Sequence, residues 1–276
     1  MTNYPNVAKA TQYAKEVLSG KIVANKWIKL ACRRHFDDLD KVNNKDYPYF
    51  FEPKKAERVA KFIQLLPHTK GKWAAVKQNL RLEPWQLFAL CLPFGWLKKD
   101  TGKRRYNKIL VFVPRKNGKS AMAAALGVYM LCADGEFGAE VYSGATTEKQ
   151  AWEVFRPAKL MVSRTPELKE HFGVEVNASN MSIASDGSRF EPIIGNPGDG
   201  ASPSCAIVDE YHEHKDDTLF DTMLTGMGAR DEPIMLIITT AGSSIGGACY
   251  TMVKDAEKML DEAMDTPDLW AMIYGL

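Results

Sequence analysis

The second half of the chain alternates short apolar runs with segments of helical spacing. Short apolar runs are typical of strands buried on both faces of a sheet. Strands are predicted at 109–113, 139–145, 181–184, 190–194, 205–208 and 234–239, and helices at 120–132 and 148–163. Strands that alternate with helices favour an α/β fold: a mostly parallel sheet covered by helices.

The first half follows a different pattern. Residues 7–36 have helical apolar spacing, and a second helix is predicted from Pro53 to Leu66, closed by Pro67. A short helix is predicted at 84–92, and the polar, proline-punctuated stretch 37–53 is predicted to be a loop. We therefore expect a helical N-terminal region, residues 1–80, attached to an α/β domain, residues 81–276.

Composition is that of a soluble globular protein, with 276 residues, 45% of them hydrophobic and 25% charged. The longest apolar stretch, residues 121–133, is too short to span a bilayer, and the N-terminus has no signal pattern, so neither membrane insertion nor export is expected. Five dispersed cysteines without C-x-x-C spacing argue against a disulfide framework or a zinc site and indicate a reducing compartment.

Charge is unevenly distributed along the chain. Residues 1–120 hold 26 Lys and Arg against 9 Asp and Glu, a net +17, whereas the remainder holds 10 against 25, a net −15. This asymmetry suggests a basic surface for nucleic acid or another acidic partner. Solvated helical faces would give the same pattern, so charge alone identifies no partner.

A phosphate-binding loop is predicted between the strand 109–113 and the helix 120–132. Its sequence, Pro114-Arg-Lys-Asn-Gly-Lys-Ser120, has the GK[ST] ending of such loops, although Val113 stands where the usual first glycine would be. Gly118 permits close approach of the backbone, and the first helical amides face the anion. Lys119 is expected to reach the β- and γ-phosphates and Ser120 to ligate Mg²⁺. Arg115 or Lys116 could neutralise charge that develops on the γ-phosphate.

An acidic pair ends the predicted strand 205–208. Asp209 and Glu210 would reach the carboxyl edge of the sheet, where the phosphate loop also lies. In this class of NTPase the first carboxylate holds Mg²⁺, mainly through water, and the second acts as general base on the attacking water.

Three weaker signals surround these motifs. His212 and His214 lack the spacing of a zinc site and are interpreted as a polar helix start after the strand. Thr239 and Thr240 end a buried strand, where hydroxyl groups either sense the γ-phosphate or simply lead into a turn. Gln86 could bind adenine through both ends of its amide.

Taken together, these motifs resemble the large terminase subunit of tailed bacteriophages, the motor that packages DNA into a procapsid. The segments that carry the resemblance are 84–86, 94–96, 104–105, 114–120, 208–210 with His212, and 238–242, and the segments 20–23 and 66–71 also match one branch of that family. The resemblance implies a P-loop NTPase fold of the RecA-like kind. It also accounts for the missing first glycine, since the family's loop commonly departs there.

The resemblance implies a role for each site residue. Gln86 would contact adenine, Lys119 and Ser120 the phosphates and Mg²⁺, and Arg115 the γ-phosphate. Asp209 would be the metal-site aspartate and Glu210 the catalytic base. Thr239 and Thr240 would couple hydrolysis to DNA movement, and Arg230 would act as an arginine finger toward a neighbouring subunit. ATP contacts are thus expected from Gln86, Arg115, Lys116, Asn117, Gly118, Lys119, Ser120, Thr239 and Thr240.

The resemblance also implies partners and a location. Family members work in the host cytoplasm on double-stranded DNA, as a homo-oligomeric ring on the portal protein and together with a small terminase subunit. The isolated chain could be a monomer. The family has a C-terminal nuclease domain of ribonuclease H-like fold, and this chain stops at Leu276. We therefore expect a motor domain without nuclease activity.

Two alternatives remain open from the residues alone. Asp209-Glu210-Tyr211-His212 fits the box of a DExH helicase, although 276 residues leave no room for a second motor domain. A nucleotide-dependent scaffold that binds ATP without cleaving it is the other. Strand displacement would favour the helicase, and phosphate release unaffected by Glu210→Gln would favour the scaffold.

Overall fold

The computed structural model describes residues 3–194, 200–214, 216–240 and 246–275, and its centre is an eight-stranded sheet. The strand order is β10-β3-β9-β8-β4-β7-β6-β5; the strands from β10 to β7 are parallel, and β6 and β5 are antiparallel at one edge. The strands of this sheet are β3 Lys108–Phe112, β4 Glu140–Ala145, β5 Val174–Val176, β6 Met181–Ile183, β7 Ser188–Ile194, β8 Cys205–Asp209, β9 Ile234–Thr239 and β10 Leu269–Ile273. A separate antiparallel pair joins β1 Tyr49–Phe51 to β2 Trp96–Lys98.

Helices cover the sheet, so the predicted α/β fold is confirmed. The helices are α1 Pro5–Leu18, α2 Lys26–Lys41, α3 Pro53–Ile63, α4 Gly71–Ala75, α5 Pro84–Gln86, α6 Lys119–Cys132, α7 Glu148–Ser163, α8 Pro166–Phe172, α9 Thr218–Gly226 and α10 Ala248–Leu260. Among the described residues, no helix is both long and apolar enough to cross a membrane.

Small residues on α6 allow that helix to pack closely on the sheet. It is buried on nearly all sides, and it contacts α3, α7 and four of the strands. At Gly127, an added Cβ would come within 2.6 Å of the Phe190 ring, so the glycine permits an approach that alanine would prevent. This packing fixes the N-terminus of α6 at the carboxyl edge of β3, where a phosphate loop has to lie.

The N-terminal helices share one hydrophobic core with the sheet. His35 on α2 contacts the rings of Phe88, Trp96 and Trp270, and Trp270 belongs to the edge strand β10. Glu57 on α3 accepts hydrogen bonds from the Asn6 backbone and side chain, so it caps the start of α1. The boundary predicted at residue 80 stays a prediction, since these contacts run across it.

Two predicted elements differ from the structure. The segment 37–53 was predicted to be a loop, but α2 continues to Lys41 and the segment ends in β1. The helix continues because Asp38 is buried and pairs with Arg105 at 2.6 Å, so a polar residue lies on the inner face. The predicted helix 84–92 is one α-helical turn followed by a π-helical turn, Leu87–Cys91, and a 3-10 turn, Leu92–Gly95.

Candidate nucleotide-binding site

The phosphate loop joins β3 to α6 in the conformation that its sequence requires. Gly118 has φ +75° and Lys116 has φ +69°, both in the left-handed region. The Asn117 side chain donates to the Pro114 carbonyl at 2.9 Å and so braces the loop from within. The amides of the first turn of an α-helix have no intrahelical partner, so the start of α6 is suited to bind an anion.

The predicted acidic pair lies beside this loop. Asp209 is the last residue of β8, and its Oδ2 accepts from Ser120 Oγ at 3.4 Å. Its Oδ1 accepts from the Glu210 backbone N–H at 2.8 Å. The structure therefore brings the hydroxyl and the carboxylate expected at a magnesium site into one place.

Lys119 forms an ion pair with Glu210 across the cleft. The Lys119 Nζ lies 2.7 Å from Glu210 Oε1, outside hydrogen-bond angles, and it has no hydrogen-bond partner among the described residues. Glu210 reaches it from a left-handed backbone conformation, φ 48° and ψ 48°, which is uncommon for a residue other than glycine. Residues in such conformations concentrate at functional sites, where the surrounding structure holds them.

Burial and neighbouring charges shift the pKa of the Asp209 carboxyl. Its side chain is almost fully buried, and this burial raises the pKa of the carboxyl to about 6, with the neighbouring Glu210 charge adding to the rise. The Lys119 charge acts in the opposite direction. A cation at this carboxylate would relieve the cost of burying its charge, which is what a metal site requires.

His212 is a site residue that the sequence analysis missed. Its Nδ1 lies 3.1 Å from Thr239 Oγ1 and 3.3 Å from Glu210 Oε2, and its backbone N–H donates to the same Thr239 hydroxyl at 3.2 Å. The sequence signal was present, because His212 stands two residues after Glu210. His214 faces elsewhere, with its Nε2 3.2 Å from the Asp209 carbonyl oxygen. In the described part of the chain, no group of three or more His, Cys, Asp or Glu residues could hold a metal ion.

The threonine pair ends β9, between the strand of the phosphate loop and the strand of the acidic pair. Thr239 is fully buried, and its carbonyl accepts from the Val113 backbone N–H at 3.1 Å. Thr240 is also buried. The remainder of this predicted motif, residues 241 and 242, lies outside the described residues.

Two cavities flank the phosphate loop. One, of about 370 Å³, lies between Lys119, Glu210 and the segment 68–70, which the sequence analysis had connected to the site only by resemblance. Arg115 and Lys116 are exposed on its rim. The other cavity, of about 510 Å³, lies on the side of Trp85, Pro114 and Asn117 and continues to residues 22–25.

Gln86 stands beside the loop, as its predicted role requires. A Cβ on Gly118 would lie 3.9 Å from Gln86 Nε2, whereas Gln86 Oε1 accepts from the Glu83 backbone N–H at 2.9 Å. The amide nitrogen thus faces the loop, and the carbonyl oxygen already holds a backbone partner in a capping box.

The structure does not bring Arg230 to this cleft. It precedes β9 and therefore lies at the opposite, amino-terminal edge of the sheet. Its guanidinium donates to the Ser202 carbonyl at 2.7 Å and pairs with Glu136 at 3.1 Å and Glu140 at 3.5 Å. A role as a finger toward a neighbouring subunit stays a prediction, and it would require these contacts to break.

Comparison with known proteins supplies the family. The family model described as "Terminase large subunit, ATPase domain" matches residues 84–258. The large subunit of the terminase of Enterobacteria phage HK97 is 26% identical over 224 residues, which cover 75% of this chain and 41% of that protein. A protein of Escherichia coli (strain K12), "Protein YmfN", is 53% identical over 77 residues, 28% of this chain and 17% of that protein.

The fold has a counterpart among solved structures. The crystal structure of the HK97 bacteriophage large terminase superposes with a TM-score of 0.66 at 24% sequence identity, and the match covers 80% of this chain and 44% of that one. The part of each relative that this chain matches is less than half of that relative's length.

Proposed function

The chain belongs to the terminase large subunit family through its ATPase domain, and on that premise we propose that it hydrolyses ATP between α6 and β8 to move double-stranded DNA. The family resemblance of the sequence is thereby confirmed, whereas the roles of individual residues are proposals. The observation that carries them is the meeting of Lys119, Ser120, Asp209 and Glu210 at the N-terminus of one helix.

The nucleotide would follow the phosphate loop, with its phosphates on the α6 amides. Within the described ranges the Lys119 ammonium makes an ion pair with Glu210 but no hydrogen bond, so its N–H groups can turn to the β- and γ-phosphates. Arg115 and Lys116 are exposed beside the cleft, within reach of the γ-phosphate. The base would occupy the cavity beside Trp85, where the Gln86 amide nitrogen can donate to an adenine ring nitrogen.

Asp209 and Ser120 fit a magnesium ion. Mg²⁺ prefers oxygen ligands and keeps several waters, and this pair offers one carboxylate and one hydroxyl. When bound, the ion would neutralise charge on the phosphate oxygens. The Asp209 carboxylate that would hold the ion is buried, and without a metal its ionised form is destabilised by the loss of solvent, as its raised pKa indicates.

Glu210 is the proposed general base. In this structure Oε1 of its carboxylate is paired with the Lys119 ammonium. ATP competes for the same ammonium group, because Lys119 cannot neutralise the phosphates and Glu210 together. Binding of ATP would therefore free the Glu210 carboxylate to turn toward the attacking water. The general base would then be available only when the substrate is bound.

A basic surface supports DNA as the partner. Residues 53–82 hold eight Lys and Arg and a single acidic residue, Glu57, which is buried. The outer face of α3 exposes Lys54, Lys55, Arg58 and Lys61. Rows of cations along a helix bind nucleic acid phosphates with affinity that falls steeply with salt.

Charge reversal on this face tests the DNA contact. Lys54→Glu, Arg58→Glu and Lys61→Glu together should weaken binding to a DNA duplex and lower the salt dependence by up to about three phosphate equivalents. A matched reversal of the exposed Lys29, Arg33 and Lys41 on α2 should leave binding nearly unchanged. Equal losses in both variants would contradict a DNA surface on α3.

The motor function is tested by an ATPase titration over protein concentration, with and without DNA. If turnover needs a neighbouring subunit, activity per chain should rise with concentration. Fast turnover that is independent of both concentration and DNA would contradict the motor proposal. Displacement of a DNA strand by the isolated chain would favour the helicase alternative. The family match does not support that alternative.

Several parts of the proposal concern the longer relatives. We propose that this ATPase works in the host cytoplasm, as a homo-oligomeric ring on the portal protein of the procapsid and together with a small terminase subunit. The division at residue 80 is proposed as the limit of the N-terminal helical region. Lack of nuclease activity is a further proposal, which incubation of the chain with supercoiled DNA and Mg²⁺ or Mn²⁺ would test.

A further inference from the structure

One histidine connects the proposed catalytic base to the end of β9. The His212 side chain is only 7% exposed, yet its ring lies among polar groups: Thr239 and Glu210 at Nδ1, and Glu213 at 3.2 Å from Nε2. His35 is the contrast, a buried histidine whose neighbours are aromatic rings. Ring packing and one hydrogen bond from the Trp96 indole therefore account for His35, but they do not explain the polar surroundings of His212.

The second oxygen of Glu210 is buried without a hydrogen bond in the described part of the chain. Buried carboxylate oxygens in that state are costly, so the group gains from any donor that turns toward it. The His212 ring nitrogen is 3.3 Å away, but it is hydrogen-bonded to the Thr239 hydroxyl. In the tautomer that carries its proton on Nδ1, the Thr239 hydroxyl and Glu210 Oε2 compete as acceptors for that one N–H.

Substrate binding changes this competition. Once Lys119 turns to the phosphates, Glu210 Oε1 loses this ion pair, and the carboxylate is stabilised more by any other donor that approaches it. A ring N–H at Nδ1 can then shift from Thr239 to Glu210 Oε2 by a small rotation. The Thr239 backbone stays hydrogen-bonded to Val113 at the base of the phosphate loop. The rotation of the His212 ring therefore takes place beside a strand end that does not move.

We propose that His212 is a positioning residue that holds the Glu210 carboxylate in the ATP-bound state and exchanges its hydrogen bond with Thr239 between states. The inference rests on the proposed hydrolysis of ATP at this site. It assigns His212 no contact with the substrate. Its effect is on the orientation of the base and on the hydroxyl at the end of β9.

The test uses His212→Ala, His212→Asn and the matched control His171→Ala, an exposed histidine on α8. His212→Ala should lower kcat by about tenfold to a hundredfold, because a misplaced base loses orientation. The dissociation constant for ATP and the unfolding temperature should stay close to wild type. His212→Asn should recover most of the activity, since its amide nitrogen can stand in for Nδ1. His171→Ala should behave as wild type.

The outcomes separate this inference from the proposed function. Wild-type kcat in His212→Ala would overturn the inference while leaving ATP hydrolysis intact. A joint fall in ATP affinity and unfolding temperature without recovery by asparagine would assign His212 a structural role and also overturn it. Absence of hydrolysis in the wild-type chain under all conditions, by contrast, would contradict the proposed function itself.

Discussion

Mild acid should destabilise this protein through His35. The side chain is fully buried among Phe51, Phe88 and Trp96, and the Trp96 indole donates to its Nδ1 at 3.1 Å. Burial lowers the pKa of His35 to about 3, from an ordinary value of 6.5. The His35 ring therefore takes up a proton below about pH 6.5 in the unfolded chain, but only below about pH 3 in the folded chain. Stability from this group is complete above 6.5 and is lost as the pH falls.

The magnitude follows from the size of the shift. Between about pH 7.5 and pH 5 the His35 contribution should fall by about 2 kcal/mol, at 1.36 kcal/mol for each pH unit below 6.5. Asp209 acts in the opposite direction, because its raised pKa lets the folded state bind the proton first. In the metal-free protein that gain offsets roughly 1 kcal/mol of the loss. Total stability alone therefore cannot isolate the histidine.

Urea unfolding of wild type and His35→Asn at both pH values isolates it. The variant should be less stable throughout because the aromatic cluster loses a ring, but its stability should fall less in acid, by about 2 kcal/mol. NMR titration of the His35 ring in the wild-type protein is a second measurement, and it does not depend on whether the variant folds. An imidazole that takes up its proton near pH 6.5 in the folded state would refute the reasoning.

Three further substitutions test separate parts of the account. Gln86→Ala should reduce the preference for ATP over GTP by about tenfold, the value of one hydrogen bond; an unchanged preference in competition binding would exclude Gln86 as the base contact. Glu57→Ala should cost about 3 kcal/mol in urea unfolding, because it removes the charged cap on Asn6. Lys61→Ala should cost almost nothing, because the Lys61 ammonium is exposed and lies as far as 3.8 Å from Glu57, which keeps its bonds to Asn6. Arg230→Ala should lower the unfolding temperature of the isolated chain, since it removes the ion pair to Glu136 and one of the two arginines that pair with Glu140; lost turnover of assembled chains at unchanged stability would instead support the finger.

The local motifs were predictable because their physics is local. The phosphate loop needs a strand, a glycine with positive φ and a helix start, and all three are visible around Gly118. Asp209 and Glu210 were predictable for the same reason, since a strand carries both to one edge. The position of Arg230 was also accessible: it precedes β9, so it had to lie at the edge opposite the phosphate loop.

The remaining features depend on strand order, which no local pattern encodes. The sheet places β9 between β3 and β8, and only that order brings Thr239 against both Val113 and His212. Strand β10 was not predicted as a strand, because it is held in place by pairing with β3 and packing against α2, both from distant parts of the sequence. The extension of α2 through Asp38 likewise depends on Arg105, far along the chain.

The central claim, that Glu210 acts as the base on an ATP held by Lys119, is tested most directly by two variants in one experiment. Binding of ATP and release of phosphate are measured for wild type, Glu210→Gln and Lys119→Ala, with Mg²⁺ and DNA present. The account predicts that Glu210→Gln binds ATP at least as tightly as wild type and releases no phosphate, whereas Lys119→Ala loses both. Phosphate release by Glu210→Gln at the wild-type rate would contradict it.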